Sequence, residues 1–175
     1  MSFKETLSAQ LLQLARQKGL LPEGDLPISP DMEQMWAGLA PEFLADAVPE
    51  FNGYPEVVLA WAAYLGAAVA WGWDADWDAF KSKDYAFFRG PQGFDYMDEH
   101  ITADILAMPL GSDAARFLAD ALRSLATAAH SILLHSGIEA GSQDAFKAVL
   151  AALETMYSLG AAIQLHRLGY KWSKA

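Results

Sequence analysis

The run VVLAWAAYLGAAVAWGW at residues 57–73 decides the fold, because it holds no Asp, Glu, Lys, Arg or His. Pro55 stands just before it, and proline fits the first turn of a helix, where an N–H has no intrahelical partner. The run shows no sustained two-residue alternation, so we predict a helix here rather than a strand. A helix without a charged face is surrounded on most sides, and we therefore expect this one at the centre of the molecule.

Two later stretches share this lack of charge. Residues 124–138 carry no charged side chain apart from His130 and His135, and residues 148–165 carry Glu154 alone. One such helix is easily covered by its neighbours, but three are harder to cover. The remaining helices could supply the cover. The alternative, which we favour, is that a second copy of the chain covers the spare faces, since two-fold dimers are the commonest soluble assemblies.

Serine, glycine and proline mark the ends of the predicted helices. A serine hydroxyl before an apolar periodic run accepts a hydrogen bond from an N–H of the first turn, and a glycine after the run ends the helix. Pro41 predicts a kink or a second short helix, and residues 82–93 predict an irregular loop. Together these signals predict an all-α single-domain bundle of six or seven helices over residues 1–175. The predicted central helices are 55–73, 112–136 and 142–168, and a further helix is predicted at 94–108. The predicted N-caps are Ser2, Ser29, Ser112 and Ser142.

The composition excludes several classes of function. The chain has 22 Asp and Glu against 12 Lys and Arg, which gives a net charge of −10. Nucleic acids and anionic lipid surfaces are bound by clustered basic side chains, so we predict neither kind of partner. The chain has no cysteine, and this excludes disulfides, thiolate nucleophiles and cysteine-ligated metals.

The same features favour a soluble, cytoplasmic protein. A chain without cysteine fits a reducing compartment, and the first residues hold no uninterrupted apolar run of the kind found in signal peptides. Residues 57–73 lie at the lower length limit for a membrane span. Their flanking residues are the acids Glu56 and Asp74 rather than Lys or Arg, so we predict no membrane span.

Glu154 is the most informative single residue, because it is the one formal charge in a long apolar stretch. A carboxylate buried there needs a partner or a raised pKa. His130 or His135 of the preceding helix could supply that partner, and a buried Glu–His pair is a candidate general acid–base. The alternative is that Glu154 reaches solvent at the surface of the bundle.

A pocket is the second possibility that the small and large residues of these helices allow. Where Ala and Gly face large aromatic rings, the helices either interdigitate or enclose a cavity, and the sequence leaves both open. The predicted lining of such a ligand site is Trp71, Trp73, Tyr96, His100, His130 and Glu154.

The densest group of metal-capable side chains lies at residues 95–104. His100 and Asp104 stand four residues apart on one helical face. A di-metal bundle, however, needs Glu-x-x-His on each of two helices, and this spacing does not occur in the chain. Acids are also favoured at a helix N-terminus without any metal. We therefore predict no metal site and no cofactor.

The sequence favours one function and leaves one alternative. We predict a non-catalytic interaction or assembly protein that acts as a homodimer. The alternative is a small-molecule-binding protein or an enzyme that uses an aromatic-lined pocket and a Glu/His pair.

Overall fold

Helices build the whole of the part that the computed structural model describes, which is residues 2–24 and 29–170. No strand occurs within those two ranges, and the prediction of an all-α bundle of six or seven helices is confirmed. The helices of the described ranges are α1 Phe3–Gln17, α2 Pro30–Phe51, α3 Pro55–Phe80, α4 Tyr85–Arg89, α5 Met97–His100, α6 Asp113–Leu134 and α7 Gln143–Arg167. A 3₁₀ turn at Phe94–Tyr96 precedes α5, and a π turn at Ile101–Ile105 follows it.

The four predicted serine caps are confirmed. Each serine hydroxyl accepts a hydrogen bond from the N–H three residues further on, which satisfies a donor that has no partner inside the helix. The N···O distances lie between 3.1 and 3.3 Å. The capped helices are α1, α2, α6 and α7, which begin after Ser2, Ser29, Ser112 and Ser142.

The centre of the molecule is the crossing of α3 and α7, which run parallel and pack on each other more extensively than any other pair of helices. Glycine makes the close approach possible. A Cβ on Gly66 would overlap the carbonyl group of Tyr157, and a Cβ on Gly160 would overlap the carbonyl group of Ala63. The two backbones therefore touch at this crossing, and neither glycine has room for a side chain.

The other long helices cover this central pair. α6 runs antiparallel to both, and α1 packs on α6 and α7. α2 packs mainly on α3 and also touches α7, where the Tyr157 hydroxyl donates a 2.8 Å hydrogen bond to the Met32 carbonyl oxygen. The Trp36 ring stacks at 4.9 Å from the Tyr157 ring. Burial raises the pKa of Tyr157, so this hydroxyl stays protonated in the fold.

Two of the charge-free helices, α3 and α7, are shielded within the single chain as expected, whereas part of α6 is exposed there. Nearly every position of 58–70 in α3 is buried, as is nearly every position of 152–165 in α7. In the uncharged part of α6, the exposed residues include the polar Thr127 and Ser131 as well as the apolar Leu134. Hydroxyl groups and imidazoles bind water without a formal charge. An uncharged helix face is therefore not always an apolar one.

Three helices, α3, α6 and α7, are long and apolar enough to cross a membrane by length and composition. The three helices differ in how much of their apolar surface is buried. In α3 and α7, 72% of the most apolar 18-residue window is buried inside the protein, against 33% in α6. The apolar surface of α3 and α7 is thus largely taken up by contacts within the bundle.

Pro41 does not start a second short helix, which was one of the two outcomes predicted for it. The helix continues past Pro41 and Pro49 to Phe51. A proline inside a helix costs about 3 kcal/mol. The buried face nevertheless continues across it through Leu39 and Phe43, and each such side chain stabilises the fold by roughly 1.5–3 kcal/mol when buried. Burial on both sides of Pro41 outweighs the break.

The segment between α3 and α6 also differs from the prediction. α3 extends beyond Trp73 to Phe80 and breaks at Asp76, whose φ of −167° and ψ of 86° are not helical. A short helix, α4, lies in the stretch predicted as an irregular loop. In place of the predicted helix over 94–108, the 3₁₀ turn, α5 and the π turn follow one another over residues 94–105.

Candidate functional site

The candidate site is an open groove at one end of the bundle, with a volume of about 590 Å³. The end of α2, the start of α3, the end of α6 and the start of α7 meet there. We call it the end groove. Its main apolar lining is Val48, Phe51, Leu134, Ile138, Phe146 and Val149.

A compact connection between α6 and α7 builds one wall of the end groove. α6 ends at Leu134, and the connection then turns at Gly137, whose left-handed φ of 77° favours glycine. The Ser136 hydroxyl donates to the Leu133 carbonyl oxygen at 2.8 Å and accepts from the Ile138 N–H at 3.2 Å. These bonds fix the connection and place Ile138 at the wall of the groove.

The end groove carries no formal charge on its walls in the part of the chain that the structure describes, since its lining includes no Asp, Glu, Lys or Arg. Its one titratable lining side chain is His130, whose Nδ1 lies 3.7 Å from Glu56 Oε1. The Thr127 hydroxyl donates to Glu56 Oε2 at 3.3 Å. Glu56 is thus held on the α6 side, next to the groove.

Large apolar side chains protrude around the end groove. Leu134 is 68% exposed and Phe146 is 50% exposed, although both are strongly apolar. Tyr54 and Val57, next to the groove residue Pro55, are exposed as well. Burial of apolar surface stabilises an association by about 25 cal/mol per Å² removed from water. This end of the molecule therefore gains free energy when another apolar surface covers it.

The predicted Glu154–histidine pair is not formed. Glu154 is half-buried, and its carboxylate makes a 2.9 Å ion pair with the Lys4 ammonium group of α1. It lines a separate polar recess of about 190 Å³ between α1, α2 and α7. His130 faces Glu56, and His135 Nδ1 lies 2.8 Å from the Ser131 carbonyl oxygen. Neither histidine therefore pairs with Glu154, because each has another partner.

The remaining predicted pocket residues are spread over the molecule. Trp71 packs edge-on against Phe80, and Trp73 lies against the Tyr170 ring. The residues between Pro55 and Trp71 place that tryptophan about 24 Å along α3 from the end groove, at 1.5 Å per residue. The other two predicted residues are Tyr96, which is exposed, and His100, which bonds to Asp104 and Phe87. The six predicted residues therefore do not line one cavity.

The acidic segment at 95–104 does not gather into a metal site. Within residues 2–24 and 29–170, no group of three or more His, Asp or Glu side chains is arranged to hold a metal ion. His100 and Asp104 form a pair. Asp98 lies apart from them and half-buried, and this burial raises the pKa of its carboxyl group.

Of the six predicted site residues, His130 alone lines the end groove, and the sequence reasoning missed the apolar residues of the groove. The signal was present in the run LLHSGIEAGSQDAFKAV at 133–149, where apolar residues continue through a turn that is otherwise built from Ser and Gly. A turn at the protein surface is usually polar. Ile138 in this turn and Phe146 next to it are the apolar residues that indicate a groove here. No protein-family model matches the chain, and no curated protein or solved structure is similar enough to indicate a family or a function.

Proposed function

We propose that this protein is a non-catalytic helical assembly protein that pairs with a second copy of itself through the end groove. The observation that carries the proposal is an uncharged apolar groove with the protruding side chains Leu134 and Phe146 at its edge. The proposal extends to a soluble, cytoplasmic protein that binds neither nucleic acid nor membrane.

The shape of this surface supports a second copy as the partner. In a two-fold dimer the same patch lies on both sides of the contact, so it must be complementary to itself. A patch that is only concave or only convex cannot satisfy this condition. The end groove offers both shapes, because a recess and the exposed side chains Leu134 and Phe146 lie side by side.

The charge of the chain supports the same choice. Two copies that each carry a net charge of −10 repel each other wherever their charged surfaces meet. Contact through the groove lining, which carries no formal charge, avoids part of this repulsion. An anionic membrane would also have to approach a chain with an excess of acids, and this disfavours a lipid surface as the occupant of the groove.

The small-molecule alternative now rests on the end groove alone. Its volume of about 590 Å³ falls within the range of ligand sites. The predicted pair of Glu154 with a histidine is not formed, and His130 at the groove lies 3.7 Å from Glu56 instead. The oligomeric state separates the two functions. The small-molecule alternative predicts a protein that remains monomeric at high concentration, with the groove open to its ligand.

Light scattering on matched variants tests the proposal. The wild type is expected at about twice the 19.1 kDa of one chain at micromolar concentration. Leu134→Glu places a carboxylate in the contact of both copies, and we expect this variant to be a monomer. Leu134 is largely exposed at the end of α6, so the fold and its thermal unfolding are expected to stay unchanged.

Phe117→Glu is the matched control. Phe117 is 51% exposed on the same helix but does not line the end groove, so this variant is expected to remain a dimer. A monomeric wild type at high concentration contradicts the proposal. So does a dimer that both substitutions weaken equally, because the contact would then lie elsewhere.

A further inference from the structure

The turn between α2 and α3 carries a chemically reactive pair of residues at the end groove. Asn52 is the one asparagine of the chain, and Gly53 follows it directly. Both residues are exposed, and Asn52 belongs to the lining of the end groove. An asparagine side chain before glycine can react with the main-chain nitrogen of that glycine, because glycine adopts conformations that a side chain would hinder.

The geometry of the turn leaves the Gly53 nitrogen available for this reaction. Within residues 2–24 and 29–170, the Gly53 N–H donates to no backbone carbonyl group, whereas the Tyr54 N–H donates to the Glu50 carbonyl oxygen at 2.9 Å. The space around Gly53 is also open, since the atom nearest to its Cβ position is that same carbonyl oxygen, at 4.0 Å. The nitrogen is therefore neither held by a main-chain hydrogen bond nor covered.

The backbone of Asn52 limits the rate of the reaction. Its φ of −64° and ψ of −37° are helical, and a helical ψ turns the following nitrogen away from the side-chain amide. Ring closure needs ψ to rotate out of the helical region, and the 2.9 Å bond between Tyr54 and Glu50 resists this rotation. A turn at a helix end opens at low cost in free energy, so we expect a slow reaction in the folded protein rather than none.

We propose that Asn52 is a modification site whose conversion to a carboxylate charges the end groove. The Gly53 nitrogen loses its proton to hydroxide and forms a bond to the Asn52 Cγ, and the bond from Cγ to the side-chain nitrogen breaks. That nitrogen leaves as ammonia, and a five-membered succinimide ring remains. Water then opens the ring at either carbonyl group and leaves aspartate or isoaspartate at position 52. The steps together consume one water, release one ammonia and neither oxidise nor reduce any group.

The new carboxylate acts on the pairing of two copies, and this part of the inference rests on the proposed function. The lining of the end groove, in the part of the chain that the structure describes, includes no Asp, Glu, Lys or Arg. In a two-fold contact through this groove, both copies bring the same new charge to the interface. Like charges that meet at an interface weaken an association, so conversion of Asn52 is expected to separate the copies as the protein ages.

Incubation of the full chain at alkaline pH tests the modification. In the wild type we expect ion-exchange chromatography to show one added negative charge per chain, and peptide mass spectrometry to place aspartate and isoaspartate at position 52. Conversion is expected to be faster at higher pH, because the attacking nitrogen must lose its proton. A wild type that keeps its charge contradicts the proposal.

Gly53→Ala is the matched control for the modification. Gly53 is not among the glycines with a positive φ, and its Cβ position is open, so the fold is expected to accept alanine. The added methyl group hinders the rotation that ring closure needs, and we expect it to slow the conversion severalfold. Equal conversion in the wild type and in Gly53→Ala contradicts the proposal.

Light scattering on two further variants tests the effect on pairing. Asn52→Asp carries the product charge from the start and is expected to raise the dissociation constant of the dimer at least about tenfold. Asn52→Gln keeps a neutral amide, and we expect it to pair like the wild type. Equal pairing of the two variants contradicts the control of pairing by Asn52. A monomeric wild type contradicts the proposed function instead, and the charge measurement still decides whether Asn52 is modified.

Discussion

Gly66 and Gly160 are the residues on which the central packing depends. Each faces a backbone carbonyl group of the other helix, so the close approach of α3 and α7 is mutual. Packing at this distance brings many atoms of the two helices into contact, and these contacts together contribute strongly to stability. A glycine in an exposed helix costs about 1 kcal/mol against alanine. Glycine occupies both sides of this crossing because there is no space for a side chain.

Gly160→Ala is expected to destabilise the protein by about 1–3 kcal/mol, because the new methyl group pushes the Ala63 carbonyl group and separates the two helices. Chemical denaturation measures the change. Gly38→Ala is the matched control, since Gly38 lies in α2 with nothing within 4 Å of its Cβ position. It is expected to stabilise the protein by roughly 0.5–1 kcal/mol. Equal effects of the two substitutions would refute the tight crossing.

Glu154 shows what a single residue can and cannot predict. Its isolation among apolar residues correctly marked it as unusual, and the alternative that it reaches solvent agrees with its half-buried position. Its partner, Lys4, lies 150 positions earlier in the chain and has no pattern that links it to Glu154. The two residues meet because α1 packs on α7, and no local sequence pattern predicts that packing.

The starts of the long helices are well predicted from the sequence, since a cap is a local interaction. Each of the four serines bonds to an N–H three residues away, and this distance lies inside any sequence window. The course of α2 past Pro41 was not predictable in this way. It depends on the burial of Leu39 and Phe43 against other helices, which outweighs a local breaking signal.

Ser112→Ala tests the cap of α6. The substitution removes the acceptor of the Ala115 N–H and is expected to cost about 1 kcal/mol of unfolding free energy. Ser112→Asp keeps an acceptor and is expected to retain most of the stability. Ser131→Ala, an exposed position in the same helix, serves as the control and is expected to change the stability little. Thermal unfolding of the three variants distinguishes a cap from a general effect of losing a hydroxyl group.

On the scale of the whole molecule, the sequence predicts the fold class but not the candidate site. Charge-free stretches indicated which helices lie at the centre, and this holds for α3 and α7. The end groove arises where α2, α3, α6 and α7 meet in space, so its residues come from positions as distant as Val48 and Phe146. The relative directions of the helices, which determine this meeting, are a property of the packed bundle.

The central claim, that a second copy covers the end groove, can be tested at one position. Because the chain has no cysteine, Ala140→Cys gives a single thiol at an exposed residue of the groove. We expect its rate of reaction with a maleimide to fall as the protein concentration rises from nanomolar to micromolar, while a thiol at Phe117 reacts at a constant rate. A reaction rate at position 140 that is the same at every concentration would contradict the claim.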